Sequence, residues 1–302
     1  MNKLITIILC LFCSYSFGQI NMEDSTAQVI AYWSIGDKQS YSVSLQNLVI
    51  NGEDTTKNET TQYDVDITVL DSSANSYTVS WLYRNFRNNS DNELIQKIIS
   101  SGENLKVIIK TDELGAFLSV ENWEEVSNYM KETLLSIQNE APNTIDIMKQ
   151  FEYLYSSKEA IESSAIQDIQ QFYTFHGAKY TLNKILEFNM KTPNLYYPEK
   201  PFDSKITLTL DELNPDNDNF ILRFTQEVNK EQLVNTTYEY LSNLAKSNGT
   251  EEPNKESFKD LSNVISNSSR IHITGWMMYS IQTKFVQAES VKNIENRIIE
   301  IK

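Results

Sequence analysis

Histidine is the side chain best suited to move a proton near neutral pH, and the chain contains two, His176 and His272. His176 lies near the end of a predicted helix, where the helix dipole favours a cation. His272 lies on the polar side of an alternating segment. The three members of a Ser-His-Asp triad need not be adjacent in sequence, so the sequence does not exclude a triad. No G-x-S-x-G, H-E-x-x-H, P-loop or G-x-G-x-x-G pattern occurs, so both histidines are predicted to be structural.

Acidic side chains cluster in two places and could act as paired carboxylates. Asp64 and Asp66 share one side of a predicted strand, and Glu121, Glu124 and Glu125 lie together where a helix is predicted to begin. Such pairs can hydrolyse glycosides, but neighbouring acids in an acidic chain usually form a solvated face. If the protein were an enzyme, it would be a hydrolase that uses paired carboxylates. It is the least favoured function, and no catalytic residue is predicted.

The segment Asn214–Asn219 places oxygen ligands at alternate positions, as a calcium loop does. An EF-hand needs Gly at its sixth position and Glu at its twelfth, where this chain has Asn219 and Thr225. A polar turn between two strands is therefore predicted, with no metal site. No cofactor is expected either.

Aromatic residues are abundant, with 16 Tyr, 13 Phe and 4 Trp against only 8 Gly. Many lie on predicted strands, and Trp276 and Met278 belong to an apolar run near the end of the chain. Ordinary core packing is one interpretation. The other is a sheet face that holds an apolar ligand, because aromatic and Met side chains adapt to such ligands. The predicted ligand-binding residues are Trp81, Tyr83, Trp276 and Met278.

The elements that would position these residues are mostly strands with a period of two. Alternation around residues 41–45, 63–69 and 77–83 predicts a three-stranded antiparallel meander, followed by strands at 105–109 and 116–120. In the second half, Ile206–Leu210 should pair with Phe220–Phe224 across a turn. Further strands are predicted at 271–274, 277–286 and 297–301.

Helical periodicity occupies the centre of the chain. Trp123, Val126, Met130 and Leu134 form one apolar stripe, and further helices are predicted at 145–154, 158–173, 231–246 and 255–264. For residues 231–246 a long strand is the alternative. Because runs of strands and runs of helices are segregated, the predicted class is α+β, with a curved, half-barrel-like antiparallel sheet packed on helices. Residues 19–302 should form one domain or two intimately packed halves, about 31–176 and 177–302.

Residues 1–18 have the features of a signal peptide. Lys3 precedes the apolar run Leu4–Phe12, and Ser16 and Gly18 suit the positions before a cleavage site. The run is too short to cross a hydrocarbon core of about 30 Å. Cleavage is predicted after Gly18 or one residue later, in preference to an uncleaved anchor or lipidation at Cys10 or Cys13. The protein is therefore expected to be exported, and soluble in the periplasm or outside the cell.

Charge and cysteine content limit the partners. The chain has a net charge of −15, which becomes −16 when Lys3, the single charged residue of the leader, is removed. This argues against nucleic acid and against anionic lipid surfaces as partners. Both cysteines lie in the leader, so the mature chain could contain no disulfide or thiol nucleophile.

The stretch Gly36–Val43, followed by paired long strands and then helices, resembles uncharacterised exported proteins of Gram-negative bacteria. More distantly, residues 31–120 and 200–302 are similar in plan to the lipoprotein-carrier half-barrels of the periplasm, whose sheet wraps a lipid-sized cavity. The resemblance implies an envelope module that binds an apolar or lipid ligand. It assigns no residue a role, because no diagnostic motif is shared. The alternative is an envelope module that binds another protein and no small ligand.

Overall fold

The computed structural model describes residues 19–140, 152–194, 196–197 and 199–302, with the side chains of residues 139 and 140 left out. Within these residues the protein is α+β, as predicted, with one large antiparallel sheet that is not closed into a barrel. The predicted leader lies outside the described residues.

Eleven of the described strands form the large sheet, in the order β7-β6-β5-β4-β3-β14-β13-β12-β11-β10-β9, and three form a small sheet, β1-β2-β8. Most neighbours in the large sheet are also neighbours in sequence, and the pairing of β3 with β14 joins the N-terminal and C-terminal groups of strands in the middle of the sheet. The strands are β1 (Ile20–Asn21), β2 (Thr26–Gln28), β3 (Lys38–Asn51), β4 (Asp54–Ser73), β5 (Ser76–Asn88), β6 (Lys106–Asp112), β7 (Phe117–Val120), β8 (Lys179–Thr181), β9 (Leu186–Thr192), β10 (Phe202–Asn214), β11 (Asn219–Val228), β12 (Ser262–His272), β13 (Met277–Ala288) and β14 (Val291–Ile301).

The helices pack on one side of the large sheet, here called the inner face. They are α1 (Glu93–Ser100), α2 (Trp123–Glu140), α3 (Lys158–Ala160), α4 (Gln167–Tyr173) and α5 (Lys230–Asn248), with a π-helical turn at Ile161–Ala165 and 3-10 turns at Pro215–Asn217 and Lys255–Phe258. The small sheet also packs on the inner face, where Ala27 and Tyr180 share a buried cluster with Leu210 and Leu222 of β10 and β11.

The alternation seen in the sequence corresponds to the two faces of the sheet. Tyr41, Val65, Ile67 and Trp81 are fully buried on the inner face, whereas Asp66, which lies between two of them, faces outward. The predicted meander is confirmed as β3, β4 and β5, and the two strands predicted after it are β6 and β7. The hairpin of β10 and β11 is also confirmed, with Leu208 opposite Phe224.

The large sheet curls around α4. The ring of Phe172 on α4 lies 5.3 Å from Trp81 on β5 and 6.4 Å from Trp276 immediately before β13. Four strand spacings separate β5 from β13, which would be on the order of 19 Å in a flat sheet. One side chain therefore contacts both regions because the strands between them bend toward the helix.

Two helix predictions need correction, and one helix was missed. The helix predicted at 158–173 is interrupted by the π-helical turn, and Ile166 leaves helical geometry with φ −110° and ψ 42°. Residues 255–264 were predicted to be helical, but only one 3-10 turn forms before β12 begins at Ser262. Helix α1 was not predicted, although Asn92 caps it by accepting from the amides of Leu94 and Ile95.

The other helix predictions have mixed outcomes. The stripe from Trp123 and the helix at 231–246 are confirmed as α2 and α5. The helix predicted at 145–154 lies largely outside the described residues. The division into one domain or two halves stays a prediction. Among the described helices, none has the length and apolar character needed to cross a membrane.

His176 is a buried structural residue whose environment should make stability depend on pH. Its ring stacks 5.8 Å from Phe172, and its Nε2 lies 2.8 Å from the carbonyl oxygen of Gly275. Burial lowers the pKa of His176 from 6.5 to about 4. The unfolded chain therefore binds a proton first, and stability is lost as the pH falls from about 6.5 to about 4.

We expect this group to remove about 3 kcal/mol of unfolding free energy between pH 7 and pH 4. Urea titrations of the wild type and of His176→Gln, which keeps an amide donor for Gly275, measure the difference. The variant is needed as a reference because burial raises the pKa of Asp168. Protonation of that carboxyl adds stability as the pH falls and so opposes the effect of His176. Parallel losses of stability in the two proteins would contradict the expectation.

Candidate functional site

A mainly apolar cavity lies between α5 and the inner face of the sheet, and is here called the α5 cavity. Its volume is about 400 Å³, within the range of about 300–1,000 Å³ typical of small-molecule sites. Its lining comes from β9 to β13, α5 and their connections: Thr192, Pro193, Tyr196, Phe202, Gln226, Val228, Leu233, Thr237, Leu261, Asn263, Ile265, Lys284 and Val286.

Helix α5 is held in place at its beginning. The Asn229 side chain caps it by accepting from the amide of Gln232. The Gln232 side chain in turn accepts from the Asp203 amide at 2.7 Å and donates to the Asp203 carboxylate at 2.7 Å. These bonds tie the helix to β10, so that Leu233 packs on Phe202 at one end of the cavity.

Thr237 is one of the polar residues that line the α5 cavity. It lies one helical turn after Leu233 and is only 6% exposed. Its hydroxyl has no hydrogen-bond partner among the described residues. Leaving such a group buried and unpaired costs roughly 1–3 kcal/mol. The hydroxyl is not exposed to the cavity in this conformation, so a bound molecule with a polar group would recover that cost only if the Thr237 side chain rotates.

Lys284 of β13 stands at the mouth of the α5 cavity. It is exposed and also borders a neighbouring groove that contains Asn47, Val49 and Asn293. The residue opposite it on β14 is Glu295, whose carboxylate pairs with Arg297 at 3.0 Å. Lys284 has no ion pair within the described ranges, so its ammonium is available to an anionic group at the mouth.

A second cavity of about 160 Å³ lies among β4, β5, β6, α1, α2 and the beginning of α4, and is here called the Asp168 cavity. The Asp168 carboxylate accepts from the hydroxyls of Tyr83 at 3.0 Å and Tyr63 at 3.3 Å. Burial raises the pKa of Asp168, while Arg297 and the two tyrosine donors act against that rise. Burial and the nearby Asp168 raise the pKa of Tyr155 to about 12.

The four residues predicted to bind a ligand do not line one common cavity. Trp81 is fully buried against Phe172 and Tyr173. Tyr83 lines the Asp168 cavity. Trp276 and Met278 border a groove of about 440 Å³ at another edge of the fold. Contact of any of them with a ligand stays a prediction.

The residues of the α5 cavity were missed by sequence reasoning. One signal was present, since Leu233 and Thr237 are four residues apart in the predicted helix at 231–246. The other walls come from strands that are distant in sequence, and no local pattern indicates that Phe202 and Val286 share a cavity.

The acidic groups considered for catalysis lie outside both cavities. Hydrogen bonding from Ser40, together with Lys38 and Arg84, lowers the pKa of Asp66. Asp64 contacts Lys302 at 2.6 Å and Asn85 at 2.7 Å. These outward-facing carboxylates therefore form surface ion pairs. The segment after Asn214 is a polar turn between β10 and β11, as predicted.

No family model matches the chain. No curated protein matches it either. Among solved structures it is similar to a chain described as "Lipid-protein interactions in lipovitellin", with a TM-score of 0.39 and 9% identity over 89% of this chain. The match covers 25% of that chain, so this protein spans about a quarter of its length. A similarity this low assigns no function to the protein.

Proposed function

We propose that the protein binds a small apolar molecule with one polar or anionic end in the α5 cavity. The observation that carries the proposal is the mainly apolar cavity of about 400 Å³, with Lys284 at its mouth and the unpaired hydroxyl of Thr237 buried in its wall. Burial of a ligand's apolar surface contributes roughly 25 cal/mol per Å². The polar end would hydrogen-bond with Thr237 or pair with Lys284, which orients the molecule.

Filling the cavity should abolish binding. We expect Leu233→Trp to weaken binding of the fluorescent anionic probe 1-anilinonaphthalene-8-sulfonate at least tenfold. The matched control is Leu244→Trp on the same helix, where the side chain is 45% exposed and the affinity should stay unchanged. Fluorescence titration measures both, and unfolding curves verify that each variant is folded. Equal affinity in the two variants would overturn the proposal.

Thr237→Val provides a second, conservative variant within the same experiment. Removing an unpaired hydroxyl should raise the stability of the free protein slightly, while displacement of the probe by decanoate should become weaker. Decanoate should also compete better than decyltrimethylammonium because of Lys284. A variant that is neither more stable nor weaker in binding would remove Thr237 from the proposal.

Protein binding is a second candidate function, and one observation favours it. Strand β9 is an edge of the large sheet, and its Phe188 and Met190 are 49% and 43% exposed. An extended segment of a partner could add to such an edge through main-chain hydrogen bonds. Native mass spectrometry separates the functions, because a ligand adduct supports the first and a ligand-free complex with another chain supports the second.

We also propose that the protein is exported after removal of a signal peptide. Gln19, the first described residue, is buried, and its side-chain amide donates to the carbonyl of Ile30. Cleavage after Gly18 would keep this contact, whereas cleavage one residue later would remove it. This supports the first of the two predicted cleavage positions.

A further inference from the structure

The Asp168 cavity is separate from the α5 cavity and has different chemistry. We propose that it binds the ammonium group of a small organic cation, held by the Asp168 carboxylate and the aromatic rings beside it. The proposal does not depend on ligand binding under α5, because the two cavities share no lining residue.

The Asp168 carboxylate can accept a further hydrogen bond or pair with a cation. Asp168 is 5% exposed. Its Oδ1 accepts from the Tyr83 hydroxyl at 3.0 Å and from the Ile169 amide at 2.9 Å. Its Oδ2 accepts only one long bond of 3.3 Å from Tyr63, within the described residues. Since an ionised carboxylate offers about four acceptor positions, Oδ2 can receive a cation.

Aromatic rings surround the same end of the cavity. Tyr63 stacks on Phe86 with centroids 4.8 Å apart, and lies 5.9 Å from Tyr83. Faces of such rings attract ammonium groups by about 0.5–2 kcal/mol each, and clusters of them recognise quaternary ammonium ligands. Met130 and Val126 line the remaining wall and would contact alkyl groups.

The charge that lines the cavity favours a cation over an anion. Asp168 is the single charged residue among those that line the cavity. Arg297 approaches from β14, but it does not line the cavity and is held by Gln167 at 2.6 Å and Glu295 at 3.0 Å. Tyr63, Tyr83 and Tyr155 are the other titratable groups that face Asp168, and the pKa of each is raised, so they remain neutral.

The size limits the ligand to a small headgroup. A cavity of about 150 Å³ accepts a benzene-sized molecule, and this one measures about 160 Å³. A trimethylammonium group with a short chain fits this space, whereas a long-chain lipid does not. The ligand class is therefore a compact alkylammonium ion.

The test compares choline with its neutral isostere 3,3-dimethylbutan-1-ol by titration calorimetry of the whole protein. We expect choline to bind at least tenfold more tightly, and Asp168→Asn to remove that preference. Asp66→Asn is the matched control, because Asp66 lies on the outer face and should leave the affinity unchanged. Equal binding of choline and the alcohol, or no binding of either, would overturn the proposal.

A second variant covers the case in which Asp168→Asn does not fold. Ala165 lines the cavity and has no polar side-chain atom, and Ala165→Phe should fill the space and abolish choline binding. Leu233→Trp should leave choline binding intact, which separates failure of this proposal from failure of the one for the α5 cavity. Unchanged choline binding in Ala165→Phe would place the cation elsewhere and exclude this site.

Discussion

Replacing Phe172 by alanine is expected to lower the free energy of unfolding by about 3–5 kcal/mol. Phe172 is fully buried, and its ring lies within 5.6 Å of Tyr41 and 5.3 Å of Trp81. It also contacts Trp276 at 6.4 Å, so it joins regions of the sheet that are four strands apart. The substitution therefore leaves a cavity where the curled sheet closes on α4.

Chemical denaturation of wild type and variant measures this loss. Phe188→Ala is the matched control, because it deletes the same atoms from a side chain that is 49% exposed on the edge strand β9. Its effect should remain within about 0.5 kcal/mol. A comparable loss in the two variants would show that Phe172 is not the centre of the core.

Replacing Gly275 by alanine should be the second most damaging change, with a loss of about 2–5 kcal/mol. Gly275 has φ +82°, a conformation that L-residues rarely adopt. An added Cβ would lie 2.4 Å from the carbonyl oxygen of Ile30, which belongs to the segment between β2 and β3. The turn before β13 and that segment would have to separate, and the contact of His176 with the Gly275 carbonyl would be strained.

Gly36→Ala separates the two causes of the loss at Gly275. Gly36 has a similar φ of +89°, but nothing lies within 4 Å of the position of its Cβ. Alanine there should cost only the backbone term of about 1–2 kcal/mol. Thermal and urea unfolding of both variants should therefore show a clearly larger loss at Gly275. Equal losses would mean that the close approach to Ile30 relaxes without cost.

Much of the sheet could be predicted because its signal is local. Side chains alternate across a strand, so inward residues such as Val43, Val65 and Val79 appear at every second position. The pairing of β3, β4 and β5 follows from short polar turns between them. Local alternation does not reveal that β14 returns to pair with β3, since about 240 residues separate Asn51 from Val291.

The segment at 255–264 shows how tertiary structure overrides a local pattern. Its residues favoured a helix, yet from Ser262 the backbone pairs with β13, and from Val264 also with β11. A central strand satisfies its backbone groups on both sides, and this outweighs a weak helical preference. The predicted helix at 158–173 is also interrupted where it makes a tertiary contact. Within its π-helical turn, the side chain of Glu162 accepts a hydrogen bond from the amide of Val120 at 2.7 Å.

The candidate sites were the least predictable feature. Trp81, which was predicted to border a ligand, is fully buried, and its contact with a ligand stays a prediction. Aromatic residues on alternating strands have the same sequence pattern in a core and in a ligand site. Asp168 looked like an ordinary residue of an amphipathic helix. What distinguishes Asp168 is its hydrogen bonds with Tyr63 and Tyr83, which are more than 80 residues away in sequence.

Periodicity and polar turns act within a few residues, so the α+β class, the inward and outward faces of the strands and the helices α2 and α5 could be predicted from local patterns. The curl of the sheet around Phe172, the unpaired hydroxyl of Thr237 and the enclosure of Asp168 could not be predicted in this way. Each of these depends on contacts between distant segments. Such contacts are set by packing of the whole chain, which no local pattern records.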